Sequence, residues 1–413
     1  MANFWFVSAP MRSHTDWGGM YLTAEQLKRT GHRVRWLSGP EIAGLFRASP
    51  VPFHPLSQTG WHWPPPLALS SYDPAAALKL RYTRALDTWL TVDQVEAGCE
   101  ALLQCAKESG PPDAIISEPF LPAAALAAEA LAVRFVVAGM PAMRPLAREY
   151  LQPIQMELAE ESVDRLNQLC ARFGVVGRNF AGGATPSVQS QELHLSYFTK
   201  RWYLADAAKL LPQNVYCGGL ISPAHKNSRL KWLQDIPEEN PLALITLGTT
   251  FKGNLRLYSR AAQAVSRAGC VPIITLGKLP LSAAEKQALL SSLPPRTHLL
   301  QWVPFRHILP RISLAIQHGG MGTTHALLLH GIPQIVLPQV ADQRVQAKRV
   351  TQAKVGLHLS AHEVHQGKLF DAANALLNDP SVRENCRLFA GEMRALGGPI
   401  KAAETLAHIA STG

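Results

Sequence analysis

Residues Trp302 to Gln343 read W-V-P-F-R-H-I-L-P-R-I-S-L-A-I-Q-H-G-G-M-G-T-T-H-A-L-L-L-H-G-I-P-Q-I-V-L-P-Q-V-A-D-Q. A short apolar run (Leu314 to Gln317) leads into a glycine-rich turn (His318 to Gly322), a helical pattern, a Gly-Ile-Pro stop and a second apolar run (Gln334 to Leu337). The spacing predicts strand, turn, helix, strand. In such a unit the glycines let the backbone close on a ligand. The N–H groups at the following helix start, Gly322 to Thr324, point at it with the positive end of the helix dipole behind them. A phosphate suits that position, although a tight turn with no ligand has the same glycines.

The flanking residues narrow the choice. Trp302 lies sixteen residues before His318, Gly331-Ile332-Pro333 begins thirteen after it, and Asp342-Gln343 follow. Together they resemble the donor-binding signature of nucleotide-sugar-dependent glycosyltransferases of the GT-B fold, in the branch that holds plant, macrolide, glycopeptide and sterol enzymes. The H-G-G-x-G-T-T form is most similar to the glycopeptide and sterol members. The resemblance implies an α/β protein of two Rossmann-like, doubly wound parallel-sheet domains facing across a cleft. It further implies that Trp302 and Val303 meet the nucleobase, that His318, Gly319, Gly320, Gly322, Thr323 and Thr324 hold the diphosphate, and that Asp342 and Gln343 read the sugar. The residue types suit these roles: an indole stacks on a base, and a carboxylate beside an amide matches vicinal hydroxyls. Taken alone, Trp302 has a core aromatic as its lesser alternative, and Asp342-Gln343 reads first as a helix cap. Many relatives have a glutamate for the ribose eight residues after the histidine; here that position is Ala326.

The chain has 413 residues, enough for two or three domains, with 47% hydrophobic and 17% charged residues. Residues 1–221 are expected to form an acceptor-binding domain, 222–240 a linker, 241–390 the donor-binding domain, and 391–413 a helix that returns to the first domain. The net charge of +10 is uneven: Met1 to Leu220 holds 19 Lys and Arg against 19 Asp and Glu, and the remainder 21 against 11. A basic second half suits an anionic diphosphate. The cations are scattered and no nucleic-acid motif accompanies them, so no nucleic-acid partner is expected. Six separated cysteines without a C-x-x-C pair indicate reduced thiols and no metal site. Neither a signal peptide nor a transmembrane run is read, which suggests a cytoplasmic protein; peripheral membrane contact and oligomeric state are left open.

Asn3 to Leu37 reads as a βαβ unit, and its first loop, Pro10 to Gly19, holds Ser13, His14, Asp16 and Trp17. Open α/β sheets place ligands at this end of a strand. The resemblance puts a catalytic histidine here. His14 fits if the stretch Thr-Asp-Trp-Gly-Gly carries a two-residue insertion, and Asp16 fits without one; an exposed loop histidine is the plain alternative. Glu118, after the strand Ala114 to Ser117, stands where relatives carry the dyad acid, with Asp113 as the fallback. The Pro- and Trp-rich stretch Val51 to Pro74 is expected to be an irregular loop. Trp17, Trp61 and Trp63, with the aromatics of Tyr197 to Tyr203, suggest a hydrophobic acceptor. A second turn, Thr246-Leu-Gly-Thr, offers Gly248 and Thr249 to the phosphates or is a plain turn. The expected activity is inverting, metal-independent transfer of a hexose, glucose first, from a UDP- or dTDP-sugar co-substrate to a hydroxyl of a small hydrophobic acceptor, with no cofactor. An inactive nucleotide-sugar-binding protein and a nucleotide-sugar epimerase are the alternatives.

Overall fold

The computed structural model describes residues 1–15, 18–63, 74–145, 147–183, 186–221, 230–248, 255–277, 281–339 and 341–412, the side chains of 13, 74–78, 81, 341 and 342 excepted. The chain divides into two compact units. The first comprises Met1–Tyr197, Asp206–Cys217 and Gly398–Gly413, and the second Phe198–Ala205 and Gly218–Gly397.

In the first unit, strands β1 (Asn3–Val7), β2 (Arg33–Ser38), β3 (Phe53–Pro55), β4 (Ala114–Ser117), β5 (Arg134–Ala138), β6 (Leu193–Ser196) and β7 (Asn214–Tyr216) form one parallel sheet. Their order is β3-β2-β1-β4-β5-β6-β7. The second unit repeats the plan with β8 (Leu242–Thr246), β9 (Val271–Thr275), β10 (His298–Leu300), β11 (Ile312–Gln317), β12 (Gln334–Val336) and β13 (Gly356–His358), in the order β10-β9-β8-β11-β12-β13. All its pairings are parallel. Central strands such as β4 and β8 are buried along their whole length, as in sheets covered by helices on both faces. Both sheets reverse strand order beside their first strand, and ligands of doubly wound folds bind at the carboxyl ends there.

The loop after β1 holds a one-turn helix, α1 (Arg12–Thr15), followed by α2 (Met20–Arg29). Met20, Thr23, Ala24 and Leu27 of α2 form a buried stripe at helical spacing. The last helix, Pro399–Ser411, buries Pro399, Ala402, Ala403 and Leu406 at the same spacing, and the two helices pack together. The return to the first unit begins at Gly398, later than the expected 391, because the helix Pro380–Ala395 packs against Met321–Leu329 in the second unit. The short segment Phe198–Ala205 also joins the second unit, where Trp202 Nε1 donates to Gln346 Oε1 at 3.2 Å and Arg349 lies over the Tyr203 ring.

Two expectations are corrected. Val51 to Pro74 is not wholly irregular: Phe53–Pro55 adds a strand to the sheet edge, where proline is tolerated because only one side is paired. Tyr197, Phe198, Trp202 and Tyr203 are buried, with the Tyr197 hydroxyl 2.8 Å from Thr23 Oγ1, so they are core and not an acceptor wall.

Within β6, buried His194 uses both ring nitrogens. Nδ1 donates to Met140 O and Nε2 accepts the Ser190 N–H, each at 3.0 Å. Only a neutral ring satisfies both, and burial pushes its pKa from 6.5 down to about 4. The unfolded chain therefore binds a proton that the folded chain refuses as pH falls from 6.5 towards 4, and stability falls with it. The expected loss is on the order of a few kcal/mol. Urea unfolding at pH 7 and pH 4.5 measures it, with His194→Gln, which donates and accepts without titrating, as the comparison. An equal acid sensitivity in both proteins would refute the assignment.

Candidate active site

At the carboxyl ends of β8, β11 and β12, residues far apart in sequence converge. The turn after β8 brings Gly248 (φ +87°) against His318, so close that a Cβ there would lie 2.7 Å from His318 Nε2. Gly320 is equally tight, its hypothetical Cβ 2.5 Å from the same atom. His318 is buried, its Nδ1 has no hydrogen-bond partner among the described residues, and burial pushes its pKa down to about 4. At neutral pH the ring is uncharged, so what it can offer a partner is a neutral N–H and not a cation.

Gly320 caps the helix Met321–Leu329, whose first internal bond runs from Thr324 N to Gly320 O at 2.9 Å. The N–H groups that a helix leaves without internal partners are thus those of Met321, Gly322 and Thr323, one residue earlier than the expected Gly322 to Thr324. Thr324 faces inward: its side chain is 0% exposed and its hydroxyl accepts from Gln317 Nε2 at 3.1 Å. It supports the turn from below.

Gly319, at φ +95°, abuts the next helix, Ala341–Gln352; a Cβ would lie 2.7 Å from Gln343 O. Gln343 is buried, and its Oε1 accepts the Gln339 N–H at 2.8 Å, a capping-type contact that fixes this helix start beside the glycine turn. The Asp342 side chain, Thr249, Asp16 and Trp17 lie outside the described residues. Trp302 is 52% exposed and follows β10, which excludes the core alternative. Val303 packs into the core of the second unit, so only its backbone can face a ligand.

In the first unit, α1 presents His14 to Glu118, with Nδ1 to Oε2 at 2.6 Å. Glu118 is fully buried and its other oxygen accepts the Ala9 N–H at 2.7 Å. Asp113, the fallback acid, instead accepts the Asn3 N–H at the other end of β1. The His14 ring lies 4.7 Å from Trp61 and 6.2 Å from Phe120, and Trp61 meets Trp63 edge-on at 5.9 Å. Phe120 is a member of this wall that sequence reasoning missed, although it stands two residues after Glu118.

The chain is similar to several known proteins. Residues 279–409 match the family described as erythromycin biosynthesis protein CIII-like, C-terminal domain. The crystal structure of the glycosyltransferase of kitacinnamycin superposes with a TM-score of 0.77 over 98% of both chains, at 21% identity. The elloramycin glycosyltransferase ElmGT of Streptomyces olivaceus is 29% identical over 301 residues, 70% of this chain and 69% of that protein. The chain has the GT-B fold. A second relative of this GT-B chain, demethyllactenocin mycarosyltransferase of Streptomyces fradiae, is 29% identical over 176 residues, 42% of this chain. That match spans 37% of the relative's own length.

For a GT-B chain, an exposed tryptophan ahead of the glycine turn is a candidate base platform. Trp302→Ala is expected to weaken UDP or dTDP binding by about 1–3 kcal/mol, read by isothermal calorimetry. Because the ring is half exposed, the melting temperature should stay nearly constant. Unchanged nucleotide affinity would remove Trp302 from the site.

Proposed function

We propose that this protein is an inverting glycosyltransferase that moves a hexose from a UDP- or dTDP-sugar to a hydroxyl of a small hydrophobic acceptor. The observation that carries the reading is the 2.6 Å contact between His14 and the buried Glu118. A protein that only bound a nucleotide sugar would have no use for a histidine locked to a fully buried carboxylate. With Nδ1 held as a donor to Glu118, proton uptake falls to Nε2, and the carboxylate stabilises the imidazolium that results.

The reaction follows from these parts. Nε2 takes the acceptor hydroxyl proton while the oxygen forms a bond to the anomeric carbon, and the bond from that carbon to the diphosphate breaks on the opposite face. The electron pair leaves with the nucleoside diphosphate. The first-turn N–H groups of Met321–Leu329 and the neutral His318 meet the charge that accumulates there. Asp342 and Gln343 are the proposed sugar contacts, with Gly248 and Thr249 at the phosphates. Trp61, Trp63 and Phe120 form an apolar wall beside the base, which suits a hydrophobic acceptor. The relatives named for elloramycin and demethyllactenocin support a natural-product scaffold.

The test is incubation with UDP-glucose and dTDP-glucose and a panel of hydrophobic alcohols and phenols, following nucleoside diphosphate release and the anomeric configuration of the product. Release that requires acceptor, with inverted configuration, is expected. Nucleotide binding without release would make it a binding protein, interconversion of the donor without acceptor an epimerase, and retained configuration would overturn the in-line mechanism.

A further inference from the structure

Gln317, the last residue of β11, sits at a position where an apolar side chain would be simpler. It is fully buried, preceded by Leu314, Ala315 and Ile316, and its strand lies between β8 and β12. Burying a primary amide costs free energy unless its donors and acceptor are used. Here all of them are: Oε1 accepts the Gly319 N–H at 2.6 Å, and Nε2 donates to Thr324 Oγ1 at 3.1 Å and to Gln334 Oε1 at 2.9 Å. The Gly319 N–H fixes which way the amide faces, because the reversed amide would set donor against donor. Thr324 and Gln334 are themselves fully buried, so the network is closed to solvent.

We propose that Gln317 is the positioning residue of the nucleotide turn. One amide group ties the left-handed peptide at Gly319 to the first turn of the helix Met321–Leu329, and Gln334 on the neighbouring strand anchors that amide. The turn then keeps its shape before any ligand arrives, which lowers the ordering cost of binding. Gln317 touches no ligand itself and acts through the N–H groups of the turn. The inference rests on the nucleotide site being real.

The test uses the full chain, with UDP and dTDP as probes. Gln317→Met preserves length and volume but cannot hydrogen-bond; it is expected to weaken nucleoside diphosphate binding on the order of tenfold and to raise the donor KM more than it lowers kcat. Gln334→Met removes only the anchor and should cause a smaller loss. The double variant should be little worse than Gln317→Met, because the two act in one network. A purely structural role would lower the melting temperature without this separation of KM from kcat. Wild-type affinity in Gln317→Met, or losses that simply add, would overturn the proposal. If Gln317→Met does not fold, Gln334→Met decides it, unchanged affinity counting against and weakened affinity for. A wild-type chain that binds neither UDP nor dTDP would instead remove the nucleotide reading, and this inference with it.

Discussion

His14→Ala is expected to lower the rate of glycosyl transfer by about 10²–10⁴ while leaving UDP and dTDP affinity unchanged. The histidine belongs to the first unit, and the glycine turns proposed to hold the nucleotide belong to the second. Glu118→Gln should approach the same loss. Its oxygen can still accept the Ala9 N–H, but its NH₂ then faces His14 Nδ1 and forces the ring proton onto Nε2, the nitrogen that must act as base. The double variant should lose little more, since the two residues work as one relay. Transfer rates under saturating donor, with nucleotide affinity measured alongside, check all three. Near-normal turnover in His14→Ala would take the histidine out of the chemistry and make Asp16→Asn the variant to examine.

Gly319→Ala is the second severe change. Its backbone sits at φ +95°, which L-residues adopt only at a cost of about 1–2 kcal/mol, and the new Cβ would press against the Gln343 carbonyl. Because backbone and not a flexible side chain opposes it, the turn or the following helix must shift. A loss of about 2–4 kcal/mol in stability is expected, together with most of the nucleotide affinity. Gly367→Ala is the control: its φ is +84° and nothing lies within 4 Å of its Cβ, so it carries backbone strain alone. Melting curves and nucleotide titrations that could not tell these two variants apart would show that the turn is not packed as described.

The strands that could be read from sequence are those whose apolar runs are long and buried on both faces, such as β1, β4, β8 and β11. The unread ones have physical reasons. Leu193–Ser196 places His194 and Ser196 in a buried strand, and His194 resembles a surface residue until Met140 O and the Ser190 N–H are seen to satisfy it. Gly356–His358 has three residues and is recognisable only through its pairing with β12. At the site, motif spacing brought Gly248, His318 and Gln343 into consideration, but only the fold shows Gly248 against His318 and Gln343 against Gly319. Spacing also cannot separate a hydroxyl that faces a ligand from one that faces the core, which is why Thr324 looked like a ligand and proves to be a support. The aromatics from Tyr197 to Tyr203 misled for the same reason: composition counts rings without saying which way they point.

The pairing of α2 with the helix Pro399–Ser411 imposes an order on synthesis. Residues 1–197 of the first unit leave the ribosome before the second unit, yet the stripe Met20, Thr23, Ala24 and Leu27 has no cover from that helix until residues 399–411 have been made. The second unit is contiguous apart from Phe198–Ala205 and can close earlier. The unit that starts first is therefore finished last, and its unfinished face must stay out of trouble while the rest of the chain is translated.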